Sequence, residues 1–127
     1  MAPYIITIKS DYQELWRYNI VVMGEVYVNG ERVELLKLKD EIAPLESDLS
    51  APPEGCELNR KVVLQSVPGE ELALFVYILP HTIYDDRSAK EYRPFDLIVA
   101  IEHNNRMEFK KHYSVNYWTG ANIEIKL

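Results

Sequence analysis

The sequence predicts an all-β fold: one antiparallel β-sandwich of about eight strands, Ig-like, C2-like or jelly-roll-like, with at most one short loop helix. Three observations carry this. Short runs rich in β-branched and aromatic residues recur along the chain. Asn29-Gly30 is the strongest short hairpin signal there is, and a second asparagine turn stands near Asn104-Asn105. Two stretches without periodicity, 42–59 and 81–94, suit connections that cross between sheets.

The elements follow in order. Tyr4 to Lys9 is a strand, and Trp16 to Val28 a second, which meets Asn29-Gly30 and returns as Glu31 to Lys39. A two-residue turn sets Val28 opposite Glu31, Val26 opposite Val33, Gly24 opposite Leu35 and Val22 opposite Lys37. That face, with Val22, Val26, Val28, Val33 and Leu35, should be the core face. The other pairs Met23 with Leu36 and Val21 with Leu38, an apolar end that something must cover. Ile42 to Asn59 contains Pro44, Pro52, Pro53 and Gly55 and reads as a surface connection. Lys61 to Val67 and Leu72 to Leu79 are joined through Pro68-Gly69-Glu70-Glu71. The second is apolar throughout, as a central strand covered on both faces would be.

In the connection from His81 to Pro94, Asp85 and Asp86 can cap a short helix through Ser88, Ala89, Lys90 and Glu91. Asp96 to Glu102 and Arg106 to Trp118 form the next hairpin. A three-residue turn, His103-Asn104-Asn105, sets Ile101 opposite Met107, Val99 opposite Phe109, Glu102 opposite Arg106 and Asp96 opposite His112. The two-residue alternative mismatches apolar with charged residues. Asn122 to Leu127 alternates Ile123, Ile125 and Leu127 as the last strand.

The 127 residues suit one soluble domain, 1–127, and at 47% hydrophobic they can bury a core without staples. A formal charge of −6 argues against a nucleic-acid surface, which is enriched in Lys and Arg. The longest apolar run, Leu72 to Leu79, is far short of the roughly 20 residues of a membrane helix. Met1-Ala2-Pro3-Tyr4 lacks the pattern of an intact secretory signal. The single cysteine, Cys56, excludes an internal disulfide; it lies in a Pro-Pro-Glu-Gly loop without a neighbouring base.

Catalytic and metal chemistry leave little trace. His81, His103 and His112 are separated, and no His-x-His or Cys-x-x-Cys spacing exists. Asp85, Asp86, Glu91 and Asp96 gather around one connection, with Asp11 and Glu14 in another. Loop carboxylates of this kind hold calcium in some sandwich domains, but the Asp-x-Asp-x-Asp-Gly pattern is missing. Ser114, His112 and Asp96 share a strand face, a row without an evident pocket or oxyanion donors. No glycine-rich phosphate loop is present. The expectation is therefore no catalysis, no metal and no cofactor.

Aromatic residues are the richest remaining feature, with nine tyrosines and two tryptophans. Tyr92, Tyr113, Tyr117 and Trp118 fall near the last hairpin, and Tyr12, Trp16 and Tyr18 near the start. Tyr and Trp anchor protein interfaces and also stack on sugars. The sequence thus predicts a non-catalytic binding or assembly module that contacts a protein partner or a second copy of itself. Met23, Leu36, Tyr92, Tyr117 and Trp118 are its candidate interface residues. Carbohydrate binding or calcium-assisted recognition is the alternative. The strands at Tyr4–Lys9 and Asn122–Leu127 carry few charges and no proline; either would be a poorly guarded edge if it lay outermost.

Overall fold

The computed structural model describes residues 1–45, 47, 51–56, 60–81 and 94–127. Its strands are β1 (Ala2–Lys9), β2 (Tyr18–Val28), β3 (Glu31–Asp40), β4 (Lys61–Gly69), β5 (Glu71–Pro80), β6 (Phe95–His103), β7 (Arg106–Val115) and β8 (Ala121–Lys126). A 3-10 turn, Leu15–Arg17, precedes β2. The strands form two four-stranded sheets, ordered β4-β1-β6-β7 and β3-β2-β5-β8, with every ladder antiparallel. The fold is an all-β sandwich. No helix among the described residues is long and apolar enough to cross a membrane. The helix expected over Ser88 to Glu91 lies outside the described residues.

The two-residue period of each strand sorts side chains between the sheets and outside them. Ile6 and Ile8 of β1, Ile20, Val22 and Val26 of β2, Leu72, Leu74, Val76 and Ile78 of β5, Leu97, Val99 and Ile101 of β6, and Ile123 and Ile125 of β8 make the core. β5 is central as expected, but only one face is fully buried; Ala73, Phe75, Tyr77 and Leu79 are partly exposed on the other.

Both hairpins correct the expected pairing, the first through a bulge alone and the second through its turn together with a bulge. Each turn has two residues with left-handed backbone: Asn29 and Gly30 (φ 53° and 76°), and Asn104 and Asn105 (φ 55° and 60°). His103 therefore belongs to β6, where it pairs with Arg106, and not to a three-residue turn. After two paired positions, each return strand takes one extra residue as a β-bulge. Tyr27 opposes Arg32, but Val26 opposes Glu34; Glu102 opposes Met107, but Ile101 opposes Phe109. A one-residue bulge turns the rest of the return strand over. Leu36, expected on the outer face beside Met23, instead faces the core at 8% exposed. It packs over Gly24, where an added Cβ would stand 3.3 Å from its Cδ1. Leu35 and Val33, expected inside, are 54% and 50% exposed. Asp96 opposes Ser114 and Ile98 opposes His112, so the expected Asp96–His112 pairing is displaced.

Three buried polar residues tie the connections to the sheets. Asn19 donates through Nδ2 to the Ala43 carbonyl and accepts at Oδ1 from the amides of Ile42 and Ala43. Arg60 donates to Asp40 Oδ2 (2.8 Å) and to the carbonyls of Asp40, Leu15 and Tyr18 (2.6, 3.1 and 2.5 Å). His81 donates through Nε2 to the Trp16 carbonyl and accepts at Nδ1 from the Ser47 hydroxyl, both at 2.6 Å.

The His81 environment carries a pH dependence. Burial disfavours the charged ring and holds its pKa below the ordinary histidine value of 6.5. The unfolded chain thus takes up this proton first as pH falls. The His81 contribution is fully present above about pH 6.5 and is lost below it, until the folded ring itself protonates. Urea unfolding at a series of pH values is expected to show stability falling between pH 7 and 5, with a His81 slope of at most about 1.4 kcal/mol per pH unit. A His81→Gln variant is expected to be flatter over that window. An unchanged slope would assign the acid sensitivity to other groups.

Candidate functional site

The outer face of the β3-β2-β5-β8 sheet presents three side-chain rows across its four strands. They are Lys37–Met23–Phe75–Glu124, Lys39–Val21–Tyr77–Asn122 and Leu35–Glu25–Ala73–Lys126. The two central strands therefore place Val21, Met23, Ala73, Phe75 and Tyr77 side by side, none of them fully buried. Leu35 stands at its β3 margin opposite Glu25, the one charged side chain that β2 adds to these rows. Lysines border it on β3, and Glu124 and Lys126 border it on β8, where they form an ion pair of 3.4 Å. An apolar centre with a charged rim is the anatomy of a protein-contact surface. The outer face of the other sheet is more polar. Its rows include Gln65–Ile5–Glu102, Val63–Thr7–Ala100–Lys110 and Lys61–Lys9–Ile98–His112.

The expected site residues scatter over the fold. Met23 lies within the apolar patch, and Leu36 lies beneath the same sheet in the core. Tyr117 is half-buried in a ring cluster: Tyr12 stacks on Phe95 at 4.4 Å, and Tyr117 meets the two rings at 5.4 and 5.8 Å. The Tyr18 hydroxyl donates to the Tyr117 carbonyl at 2.8 Å, so this cluster closes one end of the core. Trp118 is 45% exposed on the β7–β8 turn, where the Asn116 side chain accepts from the amides of Trp118 and Thr119. Tyr92 lies outside the described residues. Phe75, Tyr77 and Leu35 were missed by sequence reasoning. The unbroken apolar run of β5 was a signal for the first two, because alternate residues of any strand must face outward.

A depression of about 450 Å³ is lined by Lys9, Ser10, Asp11, Arg60, Lys61, Asp96, Ile98 and His112. Here Nδ1 of His112 meets Asp96 Oδ2 at 2.5 Å, although the two are diagonal neighbours in the ladder. Both side chains are more than half exposed. Among the described residues no hydroxyl or thiol bonds the His112 ring. His103 stacks on Tyr4 with ring centres 4.0 Å apart, and its Nε2 lies 3.0 Å from the carbonyls of Ala2 and Gly69. The three histidines thus occupy separate places. Among the described residues no three His, Cys, Asp or Glu side chains gather as a metal site. Asp85, Asp86 and Glu91 lie outside them.

No family model matches this chain, and no curated protein matches it. Among solved structures, a DUF4425 family protein from Bacteroides ovatus ATCC 8483 superposes with a TM-score of 0.44 at 9% identity, over 99% of this chain and 92% of that one. A likeness of this degree carries no argument about function.

Proposed function

We propose that the protein is a non-catalytic binding or assembly module that contacts a protein surface through the outer face of the β3-β2-β5-β8 sheet. The supporting observation is the apolar centre of that face, with Met23, Val21, Phe75 and Tyr77 in adjoining rows and charge on both flanking strands. Burying such a patch removes apolar area from water at about 25 cal/mol per Å², while the rim charges set register and exclude unsuitable partners. Lysine at Met23 and Phe75 would place two charges in the patch without touching the core.

Size-exclusion chromatography of the protein in extracts of its source is expected to show an assembly larger than the 14.8 kDa chain. The Met23→Lys/Phe75→Lys variant is expected to run as the smaller species, with a melting midpoint within a few degrees of the wild type. A wild-type chain that runs alone would overturn this reading. A carbohydrate reading has one supporting observation, the exposed indole of Trp118; glycan-array binding lost in Trp118→Ala would favour it instead.

A further inference from the structure

We infer that β8 is a self-complementary edge that pairs antiparallel with the same strand of a second copy, setting Glu124 opposite Lys126 of the partner subunit and Lys126 opposite Glu124 of the partner subunit. This goes beyond the face reading above: the contact is the edge of the same sheet, and its occupant is a second copy of the chain. β8 is outermost in its sheet, and among the described residues no strand pairs with its other side. Which amides point that way follows from the ladder. Leu127 exchanges both backbone hydrogen bonds with Leu72, at 3.1 and 2.8 Å. Antiparallel bonding alternates, so Ile125 and Ile123 face β5, and Asn122, Glu124 and Lys126 turn their N–H and C=O groups outward. β1, the other strand suspected as an edge, is interior between β4 and β6.

The four sheet edges differ in how they are guarded. β3 and β7 carry their bulges and several basic side chains, and β4 carries Pro68 and an irregularity opposite Pro3 to Ile5. β8 pairs regularly from Ala121 to Lys126 and has neither proline nor bulge. Its one lysine is matched by Glu124 beside it. Natural monomers blunt their edges, and this one lacks both the proline and the bulge that do so.

The charge pattern selects the occupant. In an antiparallel pairing of β8 with itself, outward-facing residues must meet outward-facing residues. Glu124 opposite Glu124 of the partner subunit would juxtapose like charges. A shift that centres the pairing on Ile125 puts opposite charges together twice on the outer face. On the core side it sets Ile125 against Ile125 of the partner subunit and lays Ile123 of the partner subunit across from Leu127, which is 37% exposed. The sheet then continues through both copies.

Analytical ultracentrifugation of the whole chain, up to about 1 mM, tests this. The wild type is expected to dimerise reversibly. Glu124→Lys or Lys126→Glu, each alone, is expected to weaken association at least about tenfold. An equimolar mixture of those two variants is expected to associate again, because each supplies the charges the other lacks. Glu124→Pro is expected to abolish dimerisation with little change in melting midpoint, since its amide points outward, whereas Ile125→Pro breaks the β5 ladder and lowers the midpoint. A wild type that is monomeric throughout, or charge variants that associate as the wild type does, would overturn the proposal. Association abolished by Met23→Lys/Phe75→Lys but indifferent to the charge variants would overturn it and leave the face reading standing.

Discussion

Replacing Arg60 with alanine is expected to lower stability by about 3 kcal/mol, a large part of the roughly 5–15 kcal/mol of an ordinary domain. The guanidinium is buried and serves four acceptors on three segments: Asp40 twice at the end of β3, Leu15 in the 3-10 turn, and Tyr18 at the start of β2. Removing it leaves three carbonyls without this donor, each worth about 1–3 kcal/mol where water cannot replace it. Asp40 keeps access to solvent, so its charge is not stranded, and the loss stays below that of a fully buried ion pair. Arg60→Lys is expected to recover only part, because one ammonium cannot span acceptors arranged around a planar fork. Urea unfolding with an unchanged m-value measures both. A loss below about 1 kcal/mol for Arg60→Ala would mean that the connection is held elsewhere.

Gly120→Ala is expected to cost about 3 kcal/mol or more, and a comparison with Gly30 isolates the reason. Both glycines have left-handed backbone, with φ of 71° and 76°. A Cβ at Gly30 would meet nothing within 4 Å, so Gly30→Ala carries only the conformational penalty of about 1 kcal/mol. A Cβ at Gly120 would stand 1.8 Å from the Ile78 carbonyl oxygen, and backbone cannot swing aside as a side chain can. The β7–β8 turn must then shift, and with it the Ile78–Ala121 end of the ladder that holds β8 to β5. Thermal melts of the two variants are expected to differ by several degrees. Equal midpoints would show that the turn accommodates the methyl group without moving β8.

Much of the architecture was legible in the residues themselves. Eight strand-like runs, the apolar β5 among them, and two asparagine turns point to an antiparallel sandwich, because strand period and turn chemistry are local properties. The partners of each strand are not local. Whether β1 or β8 lies at an edge depends on pairing with strands more than 40 residues away, and nothing in either run says which neighbour arrives. The bulges are a sharper case. Asn-Gly determines the first two pairs of its hairpin, but past them Leu35 and Leu36 are both leucines and both fit an inner position by composition. Packing over Gly24 against the opposite sheet decided for Leu36, and that choice left Leu35 outside at the margin of the apolar patch. The sequence by itself determined the elements, where the asparagine turns fall and most of the core. Only the tertiary structure decided which leucine is buried, which strand is exposed at an edge and which face stays apolar, because each of those depends on contacts between segments that are far apart in the chain.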